Sequence, residues 1–422
     1  MYRWIFIGLV VLTSPINAEQ SQSVPVLTLD QVIVRVLENN PELKGADYAA
    51  MAAAARIRVV QQSPAATMNV GFENFAGSGS FKGSDALEAT LSLSKIFELG
   101  NKSDLRGEVA QQELLLLNTN QDARRLDILA ETTRRFIHVV VDQARLQVIS
   151  DKLALLQSSY KVVNRRVKAG RSPVAERRRV AISVARAEIE LEHAEHELLS
   201  SRLKLTTMWG ETRTDFSTKA DLFTLATVEP FTKFEILLEQ NPDLVQFASE
   251  RRLAQARIHV AQAKQSANIE ITGGIRHLSS IDDNAFVLSA RIPFGLNSRA
   301  APAIEEQQFM HQQVSYNHEK QRLALYASLY SIHQELLHSY TAADVLQQRI
   351  IPEAKQVLRE YEKGYAAGRY SFLELSDAQR TLLDARLEAV MTSANYHRYR
   401  IEIDRLTGAR LSNAHQSTGA KQ

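Results

Sequence analysis

The sequence predicts a mainly α-helical fold carrying part of a membrane β-barrel, built twice from a unit of two strands and a long helical hairpin. Three observations predict it. Blocks of sequence return at a nearly constant offset, nearly 70 residues pass with almost no helix breaker, and four segments of about ten residues alternate in polarity.

The repeat comes first. Glu38-Asn39-Asn40-Pro41-Glu42-Leu43 returns as Glu239-Gln240-Asn241-Pro242-Asp243-Leu244, and Ala55-Arg56-Ile57 returns as Ala256-Arg257-Ile258, both 201 residues on. Ala169-Gly170-Arg171 returns as Ala367-Gly368-Arg369, and Trp209-Gly210 stands opposite Thr407-Gly408, both at 198. Shared order at nearly one offset means a tandem duplication. The expected organisation is a first repeat at 19–210, a linker at 211–232, a second repeat at 233–410 and a tail at 411–422.

Residues 1–18 read as a secretory signal, with Arg3, an apolar run from Trp4 to Leu12 and a small-residue cleavage site at Ile16-Asn17-Ala18. The run is too short to span about 30 Å of hydrocarbon as a helix. The chain has no cysteine, which excludes disulfides, thiolate metal sites and cysteine nucleophiles. A formal charge of +2 in 422 residues gives no overall attraction to nucleic acid.

Each repeat begins with a short amphipathic helix ending at the Asn-Pro pair, followed by an Ala-rich helix (43–62 and 244–265). Between 101 and 169 there is no Pro and only one Gly, at 107; continuous helix there is about 100 Å long. The 17 Gly and 10 Pro are about half the usual share, as long helices require. The hairpins are expected at about 101–210 and 303–408. A heptad-type seam runs through Leu146, Ile149, Leu153, Leu156, Tyr160, Val163 and Val167, and resumes beyond the turn from Val180 to Met208. Leu375 to Leu406 repeats it. Pro352 should kink or divide the second copy's first arm. Gly170 and Gly368 supply the positive φ that reverses each hairpin.

The strands are expected at about 67–76, 86–97, 268–276 and 285–295. Met68, Val70 and Phe72 alternate with Asn69, Gly71 and Glu73; Leu87, Leu91 and Leu93 alternate with Glu88, Thr90, Ser92 and Ser94. The second copy offers Ile269 and Ile271, then Phe286, Leu288 and Ile292. One apolar and one polar face over about ten residues suits lipid outside and water inside. Four strands cannot close a transmembrane barrel, so the barrel must be shared between chains. Gly77 to Ser80 and Ser279 to Asp283 would be the outer loops.

This order, performed twice behind a signal segment, resembles the TolC-type outer-membrane efflux channels. The Ile350-Ile351-Pro352-Glu353-Ala354 context and the missing lipid-anchor cysteine resemble the heavy-metal (CzcC-like) branch of resistance–nodulation–division systems. The resemblance implies a homotrimer in outer-membrane lipid of a Gram-negative bacterium, with a twelve-stranded barrel and a periplasmic helical tunnel. It implies a periplasmic adaptor protein docked at the tips and an inner-membrane pump, the chain itself serving as a passive exit duct for heavy-metal cations. Docking would fall on Gly170, Arg171, Gly368 and Arg369. Glu374 and Asp377, three residues apart on one helical face, match the acidic pair of the tunnel constriction, and Tyr365 matches its gate-linking tyrosine. Glu176 is the only matching acid at the first turn. Multidrug efflux and type I secretion remain open within the family.

Nothing in the chain marks an enzyme or a cofactor: P-loop, nucleophile-elbow and zinc-protease signatures are missing from the sequence. His193 and His196, three apart on a helix, lack fixed carboxylate partners and read as surface residues. The alternative of a different class is a soluble periplasmic coiled-coil scaffold with a small β domain.

Overall fold

The computed structural model describes residues 25–408. The expected signal at 1–18 and tail at 411–422 lie outside the described residues.

The chain begins with β1 (Val26–Leu27), α1 (Leu29–Asn39) and α2 (Pro41–Val60). Thr28 and Gln31 close a capping box on α1. Asn40 ends that helix and caps the next: its Oδ1 accepts from the backbone N–H of Glu42 and Leu43, with Pro41 in the first turn of α2. Strands β2 (Thr67–Glu73) and β3 (Glu88–Glu98) follow, then α3 (Lys102–Lys168) and α4 (Val174–Thr206). The second unit repeats the order: β4 (Ser217–Thr218), α5 (Phe231–Leu238), α6 (Pro242–Ala263), β5 (Asn268–Leu278), β6 (Asp283–Arg291), α7 (Leu296–Val345), α8 (Ile351–Ala366) and α9 (Phe372–Thr407).

Helix α3 runs 67 residues without a break, about 100 Å at 1.5 Å per residue. Its one glycine, Gly107, is buried, and a Cβ there would stand 2.4 Å from the Gln61 side chain. The arm opposite is divided. A π turn at Leu346–Ile350 separates α7 from α8, and Pro352 sits in the first turn of α8, where its missing N–H leaves little unpaired. The first arm of this hairpin starts at Leu296 rather than 303, because Gly295 at φ +73° turns the chain directly out of the sheet region. Pro302 is carried inside the helix.

The seam residues close the hairpins in three buried clusters. Val163, Val180, Leu358, Tyr365, Phe372 and Leu382 fill the tip end. Phe136, Val139, Leu205, Trp209 and Val390 fill a middle layer, and Phe234, Leu329, Leu336, Tyr396 and Ile403 another. Three bonds hold the segment before α5 against the long helices: His397 Nε2 donates to the Leu222 carbonyl (2.9 Å), Tyr396 Oη to Ala226 (2.6 Å) and His333 Nε2 to Glu229 (2.9 Å).

The sheet runs β2-β3-β5-β6, antiparallel throughout, so each copy contributes one hairpin and the copies meet at β3–β5. Its bounds differ from expectation. β2 stops at Glu73 because Asn74 and Ala76 take positive φ and turn the chain, and β6 stops at Arg291. Leu87 therefore lies just before β3 and Ile292 just after β6. β5 reaches Leu278, taking in Arg276 and His277.

Candidate functional site

Two regions carry chemistry: the faces of the sheet and the tip where both hairpins turn. On the sheet the register puts Met68 against Leu93 and Gly273 against Leu288; the next row is Val70, Leu91, Ile275 and Phe286. Phe72 opposes Ala89 on the same face, and Ile271 and Ile269 continue it opposite Lys95 and Phe97. These side chains find no cover: Phe286 is 91% exposed and Leu288 81%. Such an apolar surface marks an interaction with lipid or another chain. Lys95 is the polar exception that alternation alone did not reveal, and its Nζ donates to the Pro64 carbonyl at 2.8 Å.

The other face is a polar network. Asn69 Nδ2 donates to Ser94 Oγ at 3.1 Å, and Ser94 shares a 2.8 Å bond with Thr272. Arg276 reaches Thr90 (2.9 Å) and Glu88 (2.7 Å), with Glu73 at 3.7 Å; Arg291 meets Glu270 at 3.1 Å. Charges satisfied beside water on one side and bare hydrocarbon on the other are what a lipid–water boundary asks of a strand.

At the tip both turns close alike. Gly170 (φ +68°) donates to Val167 and Arg171 to Arg166; Gly368 (φ +77°) donates to Tyr365 and Arg369 to Gly364. Each is a helix C-terminus capped by a left-handed glycine. Arg171 and Arg369 are exposed just beyond.

Tyr365 is 3% exposed, its ring edge-on to Phe372. Its phenol donates to Glu176 Oε2 across the two hairpins at 3.3 Å, and burial raises its pKa above the usual value. Arg166 ties the same place together. Its guanidinium lies 4.6 Å over the Tyr365 ring, Nη1 donates to the Tyr365 carbonyl at 2.6 Å, and Nε donates to Ser172. The sequence reading missed Arg166. A cation in a helix's last turn was visible, but not that it serves the other helix's C-terminus. It also missed Gly364, where a Cβ would stand 2.1 Å from the Tyr370 ring.

Glu374 and Asp377 are both exposed on one face of α9. Glu374 has a second task. Ser371 N and Oγ both donate to its Oε2 at 2.8 Å, completing a capping box, and these bonds hold its carboxyl below the usual range. The Ser-x-x-Glu signal for this was present in the sequence and unused. Asp377 is paired with Arg380 one turn on. His193 and His196 lie beside Glu197 and Glu192 on α4, at 3.3 and 3.6 Å. Among the described residues no group of three His, Asp or Glu could hold a metal ion, and no helix is long and apolar enough to cross a membrane.

The comparisons with known proteins agree with this geometry. The family model described as outer membrane efflux protein matches residues 32–211 and 234–409, one match per copy. The cobalt-zinc-cadmium resistance protein CzcC of Cupriavidus metallidurans is 24% identical over 321 residues, covering 76% of this chain and 77% of its own. The cation efflux system protein CusC of Escherichia coli is 25% identical over 395 residues, covering 89% and 85%. A crystal structure of CusC superposes with a TM-score of 0.72 at 19% identity, over 90% of this chain and 91% of that one; it speaks for the fold.

Proposed function

The chain belongs to the outer membrane efflux protein family, and we propose that within it the chain is the exit duct of a tripartite pump for heavy-metal cations. It is an outer-membrane efflux channel with a large periplasmic portion. The observation that carries the duct is the sheet: apolar and bare on one face, hydrogen-bonded and charged on the other, and continuous with helices of about 100 Å. The names of the relatives carry the metal, being cobalt, zinc and cadmium resistance for one and cation efflux for the other.

The flanks support a closed assembly of several copies. Strands β2 and β6 are the sheet's two edges, and both leave backbone groups free to pair. Exposed apolar residues stand on α2 (Tyr48, Met51, Val59) and on α7 (Phe309, Tyr316, Leu323). Unlike flanks that meet head to tail close into a ring. Three copies, as in the resembled family, give a twelve-stranded barrel above a helical tunnel, each copy a pair of repeats joined by the 211–232 linker.

In that homotrimer Glu374 and Asp377 become rings that favour cations at the tunnel's narrow end. Tyr365 and Glu176 hold the two hairpins together there. Gly170, Arg171, Gly368 and Arg369 face a periplasmic adaptor, and an inner-membrane pump of the resistance–nodulation–division type supplies the energy. Selection of cargo rests mainly with those partners.

Deleting the gene in its native host and measuring growth inhibition tests the reading. Hypersensitivity to Zn, Co, Cd, Ni or Cu with unchanged drug tolerance is expected. Sensitivity to lipophilic drugs alone would overturn the metal assignment and keep the channel. Recovery of the protein in the soluble periplasmic fraction would favour the scaffold instead.

A further inference from the structure

The two turns share a backbone and differ in charge. Residues 161–179 and 359–377 are equivalent windows, each centred near its capping glycine. The first holds eight basic residues and one acid, Glu176; the second holds three basic residues and four acids. In a chain whose formal charge is only +2, one hairpin end therefore concentrates an excess that the rest of the molecule offsets.

Lys161, Arg165, Lys168, Arg171, Arg178 and Arg179 are exposed, and none of them has an ionic partner among the described residues. Arg166, the inward-facing member, is the one spent on structure, against Tyr365 and Ser172. Acids on the second turn could not neutralise the cluster, because Glu360, Glu362, Glu374 and Asp377 are matched there by Arg359, Lys363, Arg369 and Arg380. The tip as a whole stays strongly positive after every internal pairing. A field of this kind acts on whatever approaches the tip, raising the association rate of an acidic surface and opposing a basic one.

We propose that the first turn is an electrostatic receptor for an acidic segment of the docked periplasmic adaptor, while the second turn docks without net charge. This rests on the docking reading above. It makes the two tips unlike elements: the first steers and orients the partner, and the second meets it by shape.

The test uses the detergent-solubilised full-length assembly and the purified adaptor, identified as the periplasmic protein whose loss reproduces the deletion phenotype. Association is followed by surface plasmon resonance at about 25 and 150 mM KCl, across which the Debye length falls to about 8 Å. Wild type should associate roughly tenfold faster at low salt. The triple variant Arg171→Glu/Arg178→Glu/Arg179→Glu should lose at least about tenfold in on-rate and most of its salt dependence. The second-turn variant Lys363→Glu/Arg369→Glu should stay within about twofold. Size-exclusion profiles check that each assembly is intact.

Salt-independent association, or equal losses at both turns, would overturn the inference and leave docking standing. No association of wild type at either salt would overturn docking and the inference together. Binding to vesicles containing phosphatidylglycerol but not to the adaptor would assign the cluster to lipid and overturn the proposal.

Discussion

Asn40 donates its side-chain amide to the carbonyl of Met208 at 2.8 Å, and the pairing recurs in the second copy, where Asn241 donates to Leu406 at 2.6 Å. Each asparagine does two things at once. Its oxygen caps the Ala-rich helix that follows, and its nitrogen satisfies a carbonyl at the end of the hairpin's returning arm. The Asn-Pro motif thereby fastens the first and last elements of a repeat to each other.

Asn241 is fully buried, so Asn241→Ala loses a cap worth about 1 kcal/mol and orphans a buried carbonyl at about 1–3 kcal/mol. Thermal unfolding in detergent should show a total near 2–4 kcal/mol. Asn241→Asp should keep the cap and lose only the second bond. Equal destabilisation by both variants would refute the double role.

Gly364→Ala should destabilise the tip by about 1–3 kcal/mol, because the added methyl meets the Tyr370 ring. Tyr370→Ala removes the obstruction, and the double variant should cost less than the two singles combined. Strict additivity would show that the ring moves freely.

Glu374→Ala mixes two effects, since it removes a charge and breaks a capping box. Glu374→Gln keeps the capping geometry and removes the charge alone. Combined with Asp377→Asn, it should lower cation preference in single-channel recordings while the melting temperature stays close to wild type. Unchanged selectivity would remove both residues from the conducting path.

Burial lowers the pKa of His397, which donates to the Leu222 carbonyl. The folded state therefore resists a proton that the unfolded chain accepts below about pH 6.5. The contribution is complete above that value and is lost as pH falls. Protease cleavage within 211–230 should accelerate between pH 7.5 and 5.5, and His397→Gln should flatten the dependence. Identical profiles for both proteins would contradict this.

The sequence carried the repeat, the helix seam and the polarity of the strands, because each is a local period imposed by one backbone geometry. Leu156, Val163, Ala187 and Leu198 are buried as their spacing requires. The contacts it did not carry cross between elements. Arg166 on Tyr365 and Asn40 on Met208 join residues well over 100 positions apart, and no period connects them. The strand ends were misplaced for a related reason, since Leu87 and Ile292 keep the alternation after the hydrogen-bonded ladder has stopped.

The π turn at Leu346–Ile350 records history. The unbroken arm α3 has 67 residues, while the equivalent arm of the second copy is made of pieces of 50, 5 and 16, four residues more. Four residues exceed one helical turn of 3.6, so a plain insertion would rotate everything beyond it off the seam. A wider turn absorbs such a surplus and returns the next residues to their old bearing. The halves of this molecule therefore ceased to be interchangeable at a datable point in their lineage: descendants of the duplication that lack the wide turn branched before the surplus was fixed, and those that have it branched after.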